Sequence, residues 1–180
     1  MDIPTEAELV NAIADAARSA ITRLFGEHPE SFYYCTLITT GEALAPFLCA
    51  WSREQLNKAI AAHDDPDNAL RYLKWSYADT PYFAWGFDEF ATVRKLFEAR
   101  PAMDCEDDVQ WANEYELRLR AMEVAMARLD SEGLFGQSPK RHEIVVLVEV
   151  MPPDYTNTQR AYRLNPIEAL GEWLVEAAEE

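Results

Sequence analysis

Phe32-Tyr33-Tyr34-Cys35-Thr36-Leu37-Ile38-Thr39, followed by Ala45-Pro46-Phe47-Leu48-Cys49-Ala50-Trp51, decides the fold. Two runs rich in aromatic and β-branched residues flank Thr40-Gly41-Glu42, the pattern of strand, glycine-bearing loop and strand. Side chains alternate along a strand, so Tyr33, Cys35 and Leu37 share one face while Phe32, Tyr34, Thr36 and Ile38 share the other. Phe47, Cys49 and Trp51 lie on one side of the second run. Neither face is polar, which places the hairpin inside a sheet covered by helices.

Working outward, Thr5-Glu6-Ala7-Glu8 fits a capping box, and Leu9, Val10, Ile13, Ala17, Ala20, Ile21, Leu24 and Phe25 follow at helical spacing up to Gly26. Ser52-Arg53-Glu54-Gln55 is a second capping box, opening a helix to about Ala62 that His63-Asp64-Asp65-Pro66-Asp67 ends. Leu70–Trp75 reads as a third strand. A helix is expected from Phe87 to about Ala99, and a longer one, led by Asp104, Glu106, Asp107 and Asp108, to about Ser131. Glu143–Val150 has an unbroken apolar middle, the mark of a central strand buried on both faces. Tyr155–Leu164 reads as loop with a short edge strand at Ala161–Leu164. Asn165-Pro166 is expected to open the last helix, with Asn as N-cap and Pro at its first position. The resulting fold class is α+β: one domain over residues 1–180, an antiparallel sheet of about four strands packed with about five or six helices.

Composition narrows the function. The formal charge is −16, from 32 acidic and 16 basic residues. Nucleic-acid binding needs a basic footprint, and anionic membranes repel such a surface. A basic protein partner is compatible with it, and plain solubility accounts for the charge equally well. No apolar run is long enough to span a bilayer, and Met1-Asp2-Ile3-Pro4 lacks the basic start of a signal peptide, so a cytoplasmic location is expected. Cys35, Cys49 and Cys105 agree with a reducing compartment. Cys35 and Cys49 have the option of one hairpin face, but buried thiols are the commoner outcome.

No cofactor is expected. There is no G-x-G-x-x-G and no phosphate-cradling loop. His63-Asp64-Asp65 with Asp67 reads as a solvated turn rather than a metal site. Cys105 lies among acids that raise a thiol pKa, no serine sits in a G-x-S-x-G elbow, and carboxylates are too plentiful to pick out an acid–base pair. The aromatic set Trp75, Tyr77, Tyr82, Phe83 and Trp85 has two readings: a second layer of core, or a patch where a partner docks, rimmed by acids. The second reading makes Tyr77, Asp79, Tyr82, Trp85, Asp88 and Glu89 the partner-binding candidates.

An aromatic-led strand, a glycine turn and a second strand (Phe32 to Trp51) precede a helix, then a segment ending in Trp75-Ser76, Ala78-Asp79 and further aromatics. This order, over roughly Ala7 to Leu129, resembles the bacterial domain-of-unknown-function 4303 family. The resemblance implies a small cytosolic α+β protein with no settled enzyme activity and, for some members, an immunity role in toxin systems. It carries over no functional residue. The expectation is a non-enzymatic protein-binding domain, an immunity protein neutralising a basic toxin being its specific form. A small hydrolase or transferase with an unrecognised active site is the alternative.

Overall fold

The computed structural model of the chain describes residues 2–104 and 106–179. The hairpin forms as its pattern predicts. Strands β1 (Phe32–Thr40) and β2 (Phe47–Ser52) pair antiparallel, with Thr36 opposite Cys49 and Leu37 opposite Leu48. Strand β3 (Val145–Met151) joins the other side of β1 in parallel, with Thr36 beside Leu147. Among the described residues the helices are α1 (Glu6–Glu27), α2 (Arg53–Ala61), α3 (Pro66–Leu73), α4 (Ala91–Glu98), α5 (Asp108–Ser131), α6 (Tyr155–Leu164) and α7 (Gly171–Glu176).

Both faces of the sheet are covered. On one, Cys35, Leu37, Leu48, Val146 and Val148 meet the apolar stripes of α1 and α5. The reciprocal box between Thr5 and Glu8 caps α1, and Asp107 caps α5 by accepting from the Val109 and Gln110 amides. On the other, Tyr34, Trp51, Val145 and Leu147 meet Leu56 of α2, Ala69 and Leu73 of α3, and Leu170 and Trp173 around α7.

The sheet departs from the expected four antiparallel strands. It is three-stranded and mixed, in the order β2-β1-β3. Leu70–Trp75 is no strand, because residues 70–73 belong to α3. Asp65 accepts from the Asn68 amide at 3.1 Å, Pro66 opens the helix, and Ala69 and Leu73 bury one face four residues apart. Ala161–Leu164 is the last turn of α6, not an edge strand. Asn165 closes α6, Pro166 leads only into a single 3-10 turn at Ile167–Ala169, and α7 begins at Gly171.

β3, expected as a central strand, is therefore an edge strand, and what covers its outer edge is a row of side chains in place of a further strand. The Asn165 carboxamide accepts from the Val146 amide at 2.8 Å and donates to its carbonyl at 2.7 Å. The Asn157 carboxamide does the same to Val150 at 2.9 and 3.0 Å. Between them Arg160 Nε donates to the Val148 carbonyl at 3.0 Å. Asn157, Arg160, Ala161 and Leu164 are buried at i, i+3, i+4 and i+7, a helical core stripe written partly in polar residues. On the opposite edge, the Trp85 amide donates to the Leu48 carbonyl at 2.9 Å and Thr80 Oγ1 donates to that of Ala50.

The strand register also separates the cysteines. Cys35 lies opposite Ala50 and Cys49 opposite Thr36, so the two thiols project from opposite faces; both are free and buried. Cys105 lies outside the described residues.

Candidate functional site

From residue 74 to residue 90 the chain runs between α3 and α4 without forming an α-helix, yet it is tied down almost residue by residue. Trp51 Nε1 donates to the Ser76 carbonyl at 2.7 Å, and Ser76 Oγ to Asp79 at 2.5 Å. Thr80 is fastened to Ala50 and accepts from the Tyr82 amide at 3.1 Å. Trp85 bridges to Leu48 through its backbone and donates its indole N–H to the Ala20 carbonyl at 3.1 Å. Arg23 of α1 lies over the Trp85 ring, 4.7 Å from its centroid, and pairs with Glu89 at 2.7 Å. Gly86 makes this docking possible. Its φ of 69° is left-handed, and a Cβ there would lie 2.5 Å from that of Ala20.

The partner-binding candidates divide accordingly. Tyr82 is core, 4 % exposed, packed by His28, Phe32 and Trp85. Its hydroxyl donates to Glu30 at 2.8 Å. Glu30 also accepts from Ser52 at 2.5 Å and Gln55 at 2.8 Å; burial opposes its ionised form, but these three bonds outweigh it and hold the carboxyl below the usual range. Trp85 and Glu89 are half-buried and spent on α1. Tyr77 is half-buried against Phe47, with ring centroids 6.4 Å apart, and Asp79 and Asp88 are exposed.

What the loop offers outward is a different pair. Phe83 is 51 % exposed and Phe87 54 %. Phe83 rests on Phe47 at 5.2 Å, and the Arg94 guanidinium covers one side of Phe87 at 3.8 Å. Phe83 precedes Ala84, whose φ of 47° is a left-handed conformation rare outside glycine. Ala43, with the same φ, precedes Leu44, which is also exposed, at the β1–β2 turn. Two strained alanines thus adjoin outward apolar side chains, an arrangement typical of sites where the scaffold over-determines the backbone. Sequence reasoning placed Phe83 in the aromatic set but not among the contacts, and Phe87 inside a helix. Gly86 next to Trp85 was the available signal, since a glycine in an aromatic run marks a close backbone approach that turns its neighbours apart.

The covalent routes are poorly served. Burial drives both hairpin thiols toward the neutral form, Cys49 to about 12 and Cys35 higher still. His63 stands beside Tyr72 in an exposed turn, and among the described residues no group of three or more His, Cys, Asp or Glu is placed to hold a metal ion. Glu149, a buried carboxyl, accepts from the Tyr34 hydroxyl at 2.6 Å inside the sheet, and burial raises its pKa. No helix is long and apolar enough to cross a membrane among the described residues.

No curated protein and no solved structure matches the chain. A family model described as a domain of unknown function (DUF4303) matches residues 13–166. That span holds all three strands, the anchored loop and the carboxamide row along β3, and by it the chain belongs to the DUF4303 family.

Proposed function

We propose that this chain is a non-enzymatic protein-binding domain whose partner is a basic protein, with neutralisation of a toxin by an immunity protein as its specific form. The observation that carries the reading is the outward pair Phe83 and Phe87, each more than half exposed on a loop otherwise fastened to β2 and α1. Scattered exposed apolars are ordinary, but large rings on a pre-organised loop match what interface anchors require. Asp79 and Asp88 are exposed on the same loop, and the net charge of −16 favours approach by a cationic surface. Tyr82 and Trp85 act in this reading as the base on which the loop stands.

The test is co-expression of this chain with the product of its neighbouring gene in a bacterial host. Neutralisation of a toxic, basic neighbour by the wild type, lost in Phe83→Ala and Phe87→Ala variants that melt normally, supports the reading. A metabolic enzyme next door, or protection indifferent to both substitutions, counts against it. With a purified partner, Asp79→Asn and Asp88→Asn are expected to slow association and flatten its salt dependence, since charges act over about 8 Å at physiological salt. Phe83→Ala is expected to speed dissociation by about 2 kcal/mol, roughly thirtyfold.

A further inference from the structure

In a chain with twice as many acids as bases, three arginines converge on one cleft. It has a volume of about 450 Å³ and lies between the β1–β2 turn, the end of α4 and the flank of α5. Leu44, Phe97 and Met103 give it apolar walls, and Arg94, Arg100 and Arg118 reach it from three elements. Two of these are committed. Arg100 and Arg118 share the carboxylate of Glu114 at 2.6 and 2.7 Å, and spend further donors on the Pro4 and Pro101 carbonyls. Arg94 is not. Its Nη1 donates to the Phe87 carbonyl at 2.7 Å, and among the described residues it has no carboxylate partner and no bond from Nε or Nη2. Those two N–H groups form the side edge of the guanidinium, the fork that receives a carboxylate with two parallel hydrogen bonds.

The charges in and behind the cleft decide the valence. Glu98 on the lining and Glu114 behind it, paired with Arg100 and Arg118, set two carboxylates against three arginines, an excess of one positive charge that suits a singly charged anion better than a doubly charged phosphate. A volume of this size lies within the range of small-ligand pockets, and the apolar walls call for an apolar body behind the charged head. We infer that this cleft is a binding site for a small monocarboxylic acid with an apolar body, held by the free edge of Arg94. The inference goes beyond the partner reading, since the cleft needs no second protein.

The experiment is calorimetric titration of the purified chain with octanoate below its micelle concentration, with octanol and octylamine as controls. The expected result is saturable one-to-one binding of octanoate, weaker by about tenfold or more for octanol, as a lost charge-assisted hydrogen bond implies. Octylamine is expected not to bind. Arg94→Gln, at a half-exposed position, is expected to remain cooperatively folded despite losing its contacts to Phe87, and to lose the preference for octanoate over octanol. Equal binding of octanoate and octanol to the wild type, absence of saturable octanoate binding up to millimolar concentration, or an unchanged preference in folded Arg94→Gln overturns the inference. The octanoate and octanol arms use only the wild type, so they decide the matter even if the variant does not fold.

Discussion

At the scale of the residue, Glu149 and Glu30 show how the same functional group acquires opposite behaviour. Burial raises the Glu149 carboxyl, against the hydrogen bond from Tyr34 and the field of Arg160. The native state therefore keeps this proton to higher pH than the unfolded chain does. The stability tied to it is full at low pH and falls as pH rises from the unfolded value toward the folded one. Glu149→Gln has nothing to ionise and still offers Tyr34 an acceptor. Its urea midpoint is expected to gain on the wild type as pH rises above the ordinary carboxylate range toward neutrality, and a difference that stays constant through that rise would refute the burial account. Glu30 works the other way: its lowered carboxyl contributes stability at neutral pH that is lost as pH falls through the folded value. Neither behaviour is legible in the sequence, because both glutamates depend on partners far along the chain. The same holds for the loop aromatics. Tyr82, Phe83, Trp85 and Phe87 look alike as letters, and only the meeting of Trp85 with Leu48, with Ala84 and Gly86 in left-handed conformations, sends two inward and two outward.

At the scale of the element, the hairpin and the strand at 145–151 were legible because period-two patterning and long apolar runs are local signals. The parallel pairing of β3 with β1 was not, since nothing within a strand states which neighbour it will choose. The side-chain cover of β3 was hidden for a sharper reason. Asn157, Arg160 and Asn165 occupy positions where a reader expects solvent, so α6 passed for a loop, yet their side chains supply to β3 the bonds a strand would have supplied. Asn165→Ala leaves the Val146 amide and carbonyl buried and unpaired and is expected to cost about 1–3 kcal/mol by chemical denaturation. Asn165→Asp keeps the acceptor but turns an oxygen toward the Val146 carbonyl, and is expected to destabilise at least as much at neutral pH. A cost near zero for both would mean that water replaces the carboxamide and that α6 does not seal the edge.

At the scale of the whole molecule, the net charge of −16 opposes compaction while it favours cationic partners. Many ion pairs here are exposed and contribute little, as with Arg120–Glu6 and Arg163–Glu123 at 2.6 Å. Screening should therefore relieve more repulsion than it removes attraction. Melting temperature is expected to rise as sodium chloride goes from about 10 mM to about 200 mM, by scanning calorimetry. A fall over that range would assign more weight to the ion pairs than to the net charge. The overall class, helices on both faces of a small sheet, was readable from a hairpin polar on neither face and from capped amphipathic helices. The place where arginines gather was not, because Arg94, Arg100 and Arg118 become neighbours only when α4 and α5 fold against the hairpin turn.

The row of carboxamides along β3 has a consequence for how the protein behaves in a crowd of its own copies. A bare strand edge is a template: its free amides and carbonyls recruit the next chain, and recruitment repeated is fibril growth. Here the template is already read from both sides, by Asn157, Arg160 and Asn165 on β3 and by Thr80 and Trp85 on β2. A sheet of three strands with two occupied edges is closed to extension without being closed into a barrel, so on the proposed reading the exposed phenylalanines are open to a partner while the described strand edges offer no addition point to a second copy.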